Sequence, residues 1–467
     1  MKLLLFSGLL IFYFESTAQL GSENQIKVDQ IFSQWNHKNS PGAALSIIKD
    51  GKIIYSKGYG MADLEHDIPV TDSTIFYIGS VSKQFVTMCI LLLEEQGKLK
   101  LDDKVQKYLS DFPEYESPIT IQHFIHHTSG VRDNLTLWEL AGNSILDHID
   151  KEEMYQMIKR QKTLNFPSGE KYLYSNSCYF MLALIIEKVS GESLKSFAQK
   201  NIFQPLSMNH TFFGDDNTKI IKNRAFSYNT TKDGFTNNIM RFDLVGSGGL
   251  YSNTQDMYLW DQNFYNNKLG KRNMALINKM HQDGLLNNGQ SCGYAYALHN
   301  GTYRGLKTVS HGGALAGYRS FYLRFPQENL SIVILGNLGQ LNTGNLANKV
   351  ADIVLLDRLK PIIEKDAPGK FEIVDHKPKL TGLHNFDQFL GNYFSEELDV
   401  TYRLFIQENQ LFYSIKNMIP LKLSYDKEDT FLSPESFALK FERDALNKIS
   451  GFTLDAGRVT NLKFIRK

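Results

Sequence analysis

Phe76-Tyr-Ile-Gly-Ser-Val-Ser-Lys-Gln-Phe-Val-Thr-Met-Cys-Ile-Leu-Leu-Leu93 changes texture halfway along. A short extended apolar run, Phe76 to Ile78, meets the start of a helix at Ser80. The helical pattern then runs to Leu93 and ends near Gly97. Ser80 and Lys83 stand three residues apart, on one face of that helix. A serine hydroxyl is a weak nucleophile until a neighbouring base takes its proton. A lysine serves as that base when desolvation or nearby cations lower its pKa. The helix N-terminus adds backbone N–H groups and partial positive charge where an oxyanion would form. Taken alone, Ser80 reads equally well as a helix cap.

On the N-terminal side, Gly42–Ile48, the turn Lys49-Asp-Gly51 and Lys52–Lys57 read as strand, turn and strand. Before them, Ser22–Trp35 reads as an amphipathic helix with Ile26, Val28, Ile31 and Phe32 as its apolar positions. On the C-terminal side, helical segments and loops continue to about Trp260. Thr308–Ser310, Tyr318–Phe325 and Leu330–Leu335 then read as successive strands, closed by a helix over Leu346–Leu359. Polar, Pro-containing sequence follows, from Lys360-Pro361 to Lys379, and marks a linker. Beyond about Phe386 the pattern is β only. Tyr402–Ile406, Gln410–Ile415, Phe437–Phe441 and Asn461–Ile465 approximate period-two alternation, with turns at Asn409, Asn447 and Asp455–Gly457. This tail is expected to form a small antiparallel barrel or sandwich whose interior side chains fill it. The expected organisation is an export signal over 1–18, a catalytic block over 22–360, a linker over 361–385 and a β domain over 386–467.

Two further boxes carry chemistry. In Tyr172-Leu-Tyr-Ser-Asn176, Tyr174 and Asn176 pair a phenol able to exchange a proton with an amide able to hold a substrate carbonyl and orient a lysine. In Val309-Ser-His-Gly-Gly-Ala314, Gly312 and Gly313 permit close approach of a substrate backbone. The N–H of Ala314 would join that of Ser80 in an oxyanion hole. Each box alone also has a plain structural reading: an aromatic loop for the first, a strand-end turn with a satisfied His311 for the second.

In this order, Ser80-x-x-Lys83, Tyr174-Ser-Asn176 and His311-Gly-Gly313 resemble the three signatures of class C β-lactamases, penicillin-binding proteins and their serine-hydrolase relatives. His127-Thr-Ser-Gly130 and Gly248-Gly-Leu-Tyr-Ser252 support the resemblance, which covers roughly 37–355. It implies an α/β (α+β) fold: an antiparallel sheet flanked by helices, a helical subdomain, and a site between them. The tail is similar to the lipocalin-like appendages of such hydrolases. The resemblance makes Ser80 the nucleophile, Lys83 its activator and Tyr174 a general base and acid, with the division between the last two open. It makes Asn176 the holder of the substrate amide and sets His311 on the far wall. At that last position many members carry a Lys, so a fixed charge for a substrate carboxylate is missing. The resemblance there turns toward D-stereospecific aminopeptidases, related peptidases and esterases. If neutral His311 is required, activity should rise through roughly pH 6 to 7.

The expected activity is therefore acyl-enzyme hydrolysis of peptides or amides containing D-amino acids, or of small esters. A β-lactamase or an esterase is the alternative within the class, and an acylated sensor without turnover is the alternative outside it. Composition narrows the rest. Lys plus Arg number 51 and Asp plus Glu 50, which gives no electrostatic reason to bind nucleic acid or an anionic membrane. The expected partner is a small molecule or short peptide. Lys2, the apolar run Leu3–Phe14 and Ser16-Thr-Ala18 read as a cleavable signal, which implies a periplasmic or extracellular protein. Three cysteines do not make a disulfide framework, and no metal-ligand spacing is present, so neither metal nor cofactor is expected.

Overall fold

The computed structural model describes residues 19–361, 386–416 and 418–467. The export signal over 1–18, and all of the linker over 361–385 except Pro361, lie outside the described residues.

A six-stranded antiparallel sheet organises the first block. Its order is His299–Tyr303, Leu306–Leu315, Tyr318–Phe325, Leu330–Gly336, Ala43–Lys49, Lys52–Tyr59. The Asp-Gly turn is formed as the sequence indicates: Asp50 and Gly51 both take positive φ, at 50° and 77°, as a two-residue hairpin demands. Ala43–Lys49 is buried on both faces, which is why it reads as a nearly unbroken apolar run instead of an alternation. Ala43, Leu45 and Ile47 pack with Val28 and Phe32 of the Ser22–Phe32 helix and Ala347 and Val350 of the Thr343–Val354 helix. Ala44 and Ile48 face the opposite way, into the larger core.

That larger core is built around the Lys83–Glu95 helix, preceded by a 3-10 turn over Gly79–Ser82. Every residue from Lys83 to Leu93 is buried, so this helix is enclosed on all sides. Phe85 packs on Trp260 at 4.4 Å between ring centroids, and Trp260 donates its indole N–H to Gln84 Oε1 at 3.1 Å. The all-round burial fixes the N-terminal turn of the helix, and with it Ser80 and Lys83.

The tail is a nine-stranded antiparallel sheet running from Leu421–Lys422 at one edge to Ser424–Lys427 at the other. Only Leu423 separates these edge strands in sequence, so the sheet curls into a nearly closed barrel. The four strands expected from alternation are all present. Tyr393, Tyr402, Phe441, Phe452 and Phe464 are among the aromatic side chains that fill the interior. The barrel docks on the helical part of the first block. Arg132 donates to Glu397 Oε1 at 2.7 Å and to the carbonyls of Thr460 and Asn461 at 3.1 Å each. Tyr402 donates its hydroxyl to the carbonyl of Leu140 at 2.8 Å. No helix among the described residues is long and apolar enough to cross a membrane.

Candidate active site

Gly79 sets up the turn that presents Ser80. Its φ is +53°, and a Cβ there would lie 2.6 Å from the backbone nitrogen of Ala314. The two backbone nitrogens expected to form an oxyanion hole thus belong to segments in direct contact. His299–Tyr303 pairs with the neighbouring strand only as far as Ser310. Among the described residues, His311–Leu315 therefore has no strand neighbour on that edge, and the Ser80 turn occupies part of it. A Cβ on Gly313 would meet the carbonyl oxygen of Ile78 at 2.1 Å and Ser320 Oγ at 2.4 Å, so its smallness serves the packing of protein on protein. A Cβ on Gly312 would lie 3.3 Å from Phe321 Cδ2, itself a tight contact.

Lys83 is fully buried, and its three polar neighbours are all uncharged. Nζ lies 3.1 Å from Ser80 Oγ, 3.0 Å from Asn176 Oδ1 and 2.5 Å from the carbonyl oxygen of Ser247. Desolvation holds its pKa well below the ordinary lysine value, and the carboxylate of Asp133 only partly opposes this. A neutral amine fits the three contacts: two N–H bonds go to the two carbonyl-type oxygens, and the lone pair faces the Ser80 hydroxyl. An ammonium fits them too, with three donors for three acceptors. The same cage therefore satisfies the lysine before and after it takes a proton.

The rings around Lys83 supply the low dielectric. Nζ sits 4.8 Å from the Tyr174 ring centroid and 5.4 Å from that of Tyr179. His127, with φ +56°, stacks 4.2 Å from Tyr174 and 4.8 Å from Tyr294. Its Nδ1 accepts the N–H of Ser175 at 3.2 Å, and burial pulls its pKa well down, so it is a neutral ring. Burial also pushes the Tyr174 phenol well above the usual tyrosine range, opposed in part by Ser80 beside it.

Asn176 is placed by Asp133, whose Oδ2 accepts the Asn176 backbone N–H at 2.6 Å. Asn176 Nδ2 donates to no described residue, which leaves it for the cavity. His311 lines that cavity and is neutral, but it titrates well below the pH 6 to 7 range of an unperturbed histidine. Nδ1 donates to the carbonyl of Gly312 at 2.7 Å, and Nε2 accepts from the Tyr294 hydroxyl at 2.9 Å. Burial first, then Lys83 and His299, bring its pKa down to about 3. His311 is therefore already neutral at pH 5, and a rise in activity through pH 6 to 7 cannot come from it.

These residues open onto a cavity of about 930 Å³ between sheet, helices and barrel. It brings together Ser80, Tyr174, Asn176, His311, Gly312, Gly313 and Ala314, with Lys83 beneath its floor. Sequence reasoning missed Ser247, Asp133, Tyr294 and Arg458. Ser247 adjoins the Gly248-Gly249 pair that was noticed, but nothing in the sequence indicates that its carbonyl is the group used.

A family model described as beta-lactamase matches residues 28–355. Penicillin-binding protein 4* of Bacillus subtilis is 25% identical over 417 residues, covering 86% of this chain and 90% of that protein. A D-aminopeptidase of Gluconobacter oxydans is 28% identical over 299 residues, covering 64% of this chain and 56% of that enzyme. The chain thus spans little more than half of the aminopeptidase's length. The octameric penicillin-binding protein homologue from Pyrococcus abyssi shares the fold, with a TM-score of 0.63 at 22% identity over 95% of this chain and 99% of that one. With the match running through the whole Ser80–Lys83, Tyr174 and His311 region, the chain belongs to the beta-lactamase family and is a serine hydrolase of the β-lactamase and penicillin-binding-protein type.

Proposed function

We propose that the protein is an exported enzyme that hydrolyses short peptides or amides containing D-amino acids, or small esters, through an acyl-enzyme on Ser80. The observation that carries this reading is the buried Lys83 amine, 3.1 Å from Ser80 Oγ with only uncharged partners. Lys83 Nζ takes the Ser80 proton as Oγ bonds to the substrate carbonyl carbon. The resulting oxyanion faces the N–H groups of Ser80 and Ala314. As the tetrahedral species collapses, the bond to the leaving nitrogen or oxygen breaks, and that atom takes a proton relayed from Lys83 through the Tyr174 hydroxyl. Water then attacks the acyl carbon and passes its proton to Lys83 by the same route; the bond from the acyl carbon to Ser80 Oγ breaks, and Lys83 returns the proton to Oγ. The raised pKa of Tyr174 favours the phenol at rest, which supports Lys83 as the resting base and Tyr174 as donor and relay. Asn176 Nδ2 is suited to hold a substrate carbonyl. The unpaired edge at His311–Leu315 is suited to an extended backbone. The D-aminopeptidase relative supports a D-residue substrate.

Intact-mass labelling tests this. A fluorophosphonate should add once to the native chain and not to Ser80→Ala. A penicillin adduct that accumulates without turnover would favour a sensor. No adduct with either reagent would overturn the hydrolase reading.

A further inference from the structure

The cavity holds a cation that the catalytic block does not supply. Residues Ile449–Ala456 and Val459–Arg466 of the barrel form a hairpin whose two-residue loop is Gly457-Arg458. Gly457 takes φ +58°, and the loop is fixed to the catalytic block from both sides. The carbonyl of Arg458 accepts the N–H of Asp133 at 3.3 Å and Asn165 Nδ2 at 2.9 Å, while Thr460 donates N–H and hydroxyl to Asn165 Oδ1 at 2.9 and 3.1 Å. So anchored, the loop sets the Arg458 guanidinium 4.8 Å from the Tyr174 ring centroid, on the wall of the cavity.

That guanidinium is available. Its side chain is 47% exposed and donates no hydrogen bond to any described residue. The nearest carboxylate, Asp133, lies 3.9 Å away and is already engaged by Asn176 N–H, Thr136 N–H and the Thr136 hydroxyl. Arg319, the other arginine on the wall, commits Nη1 to the carbonyls of Ala316 and Tyr318. Among the described residues no Asp or Glu lines the cavity. A site with two arginines and no acid, in which every donor of the Arg458 guanidinium is unengaged by a hydrogen bond to a described residue, is complementary to an anion. A planar fork pairs best with a carboxylate.

We propose that Arg458 is the carboxylate-binding residue of this active site, so that the barrel completes the site and selects substrates carrying a free carboxylate close to the bond that is cleaved. This rests on the hydrolase reading for its use of the word substrate, while the binding it asserts stands apart from turnover. Arg458 is a fixed charge, whereas His311 is neutral.

The test is a binding ratio measured by titration calorimetry on Ser80→Ala. The probes are an N-acylated dipeptide of D-residues with a free C-terminal carboxylate and the same dipeptide as its carboxamide. The carboxylate should bind about tenfold more tightly or better, as a charge-assisted pair allows. In Ser80→Ala with Arg458→Gln the ratio should fall to within about twofold of unity, and Arg458→Lys should restore part of it. A melting temperature within a few degrees of the parent verifies that the hairpin has stayed in place. A ratio unchanged by Arg458→Gln, no preference in the parent, or no binding of either dipeptide overturns the proposal. Fluorophosphonate labelling of the native chain separates the two readings. Labelling without an Arg458-dependent preference removes only this inference. The preference without labelling removes only the hydrolase.

Discussion

Two buried cations in this molecule are handled in opposite ways. Arg324 has only 2% of its side chain exposed, and it is paired with a buried carboxylate, Asp261, at 3.1 Å. The same Asp261 oxygen accepts the Tyr322 hydroxyl at 2.8 Å and the Ser331 hydroxyl at 2.6 Å, and the guanidinium lies 4.2 Å from the Phe264 ring centroid. Charge is matched and every partner is polar. Lys83 is as deeply buried but receives only a hydroxyl and two neutral carbonyl-type oxygens. Arginine cannot shed its proton, so its site must provide a counter-charge. Lysine can, so a site without a counter-charge stores a free amine. The same burial makes one cation a structural tie and suits the other to the base role proposed for it.

The largest expected effect lies on the Lys83 side. Lys83→Met should lower kcat/KM by about 10³-fold or more on any ester the native protein turns over, within the range for loss of an acid–base group. Steady-state kinetics on purified protein checks it, and a loss below about tenfold would place the base elsewhere. The counterpart is Asp261→Ala. It leaves Arg324 buried and unpaired, and should cost about 3–5 kcal/mol of stability in denaturant titration. A cost below 1 kcal/mol would mean that the two sites are not opposites.

A smaller effect sharpens the contrast through pH. The folded-state pKa of Lys83 lies well below its unfolded value of about 10.4, so between the two the unfolded chain binds the extra proton. Burying Lys83 neutral therefore costs stability at neutral pH, and the cost fades as pH rises toward about 10.4. Lys83→Met should unfold later than the native chain at pH 7, by about 1–4 kcal/mol, with the gain shrinking by pH 10. A gain that does not depend on pH would show Lys83 to be charged in the fold. The smallest effect is at His311, neutral above about pH 3. In His311→Gln, the acidic limb of the pH–rate profile should stay within about half a unit of the native position, because the proposed mechanism gives that limb to Lys83. A shift of a full unit or more would return the limb to the histidine.

The contrast also marks where sequence reading stops. Ser80-x-x-Lys83 is visible because its geometry is local: three residues on one turn. The Asp50-Gly51 hairpin and the barrel strands at Gln410–Ile415 and Tyr402–Ile406 are legible for the same reason, since turn chemistry and period-two alternation are short-range properties. What suits Lys83 to the proposed role of base is not local. The Ser247 carbonyl lies 164 residues away and Asn176 lies 93 away. The neutral state of His311 depends on burial and on Tyr294, and the sequence shows a histidine without its environment. A two-glycine box reads as room for substrate, and nothing in it shows that Gly313 also has to clear the carbonyl of Ile78. Arg458 was beyond reach for a stronger reason: its turn looks like any hairpin loop until the barrel is docked.

Trp260 gives the molecule a built-in optical probe. The chain's three tryptophans, Trp35, Trp138 and Trp260, all precede the barrel, which holds none. Trp260 is fully buried against Phe85 and bonded to Gln84, the residue after Lys83. Loosening of the Lys83–Glu95 helix should thus appear as a red shift and altered quenching of indole emission. Unfolding confined to the barrel would register mainly in the tyrosine and phenylalanine bands, so an optical melt can tell which half of the active site is lost first.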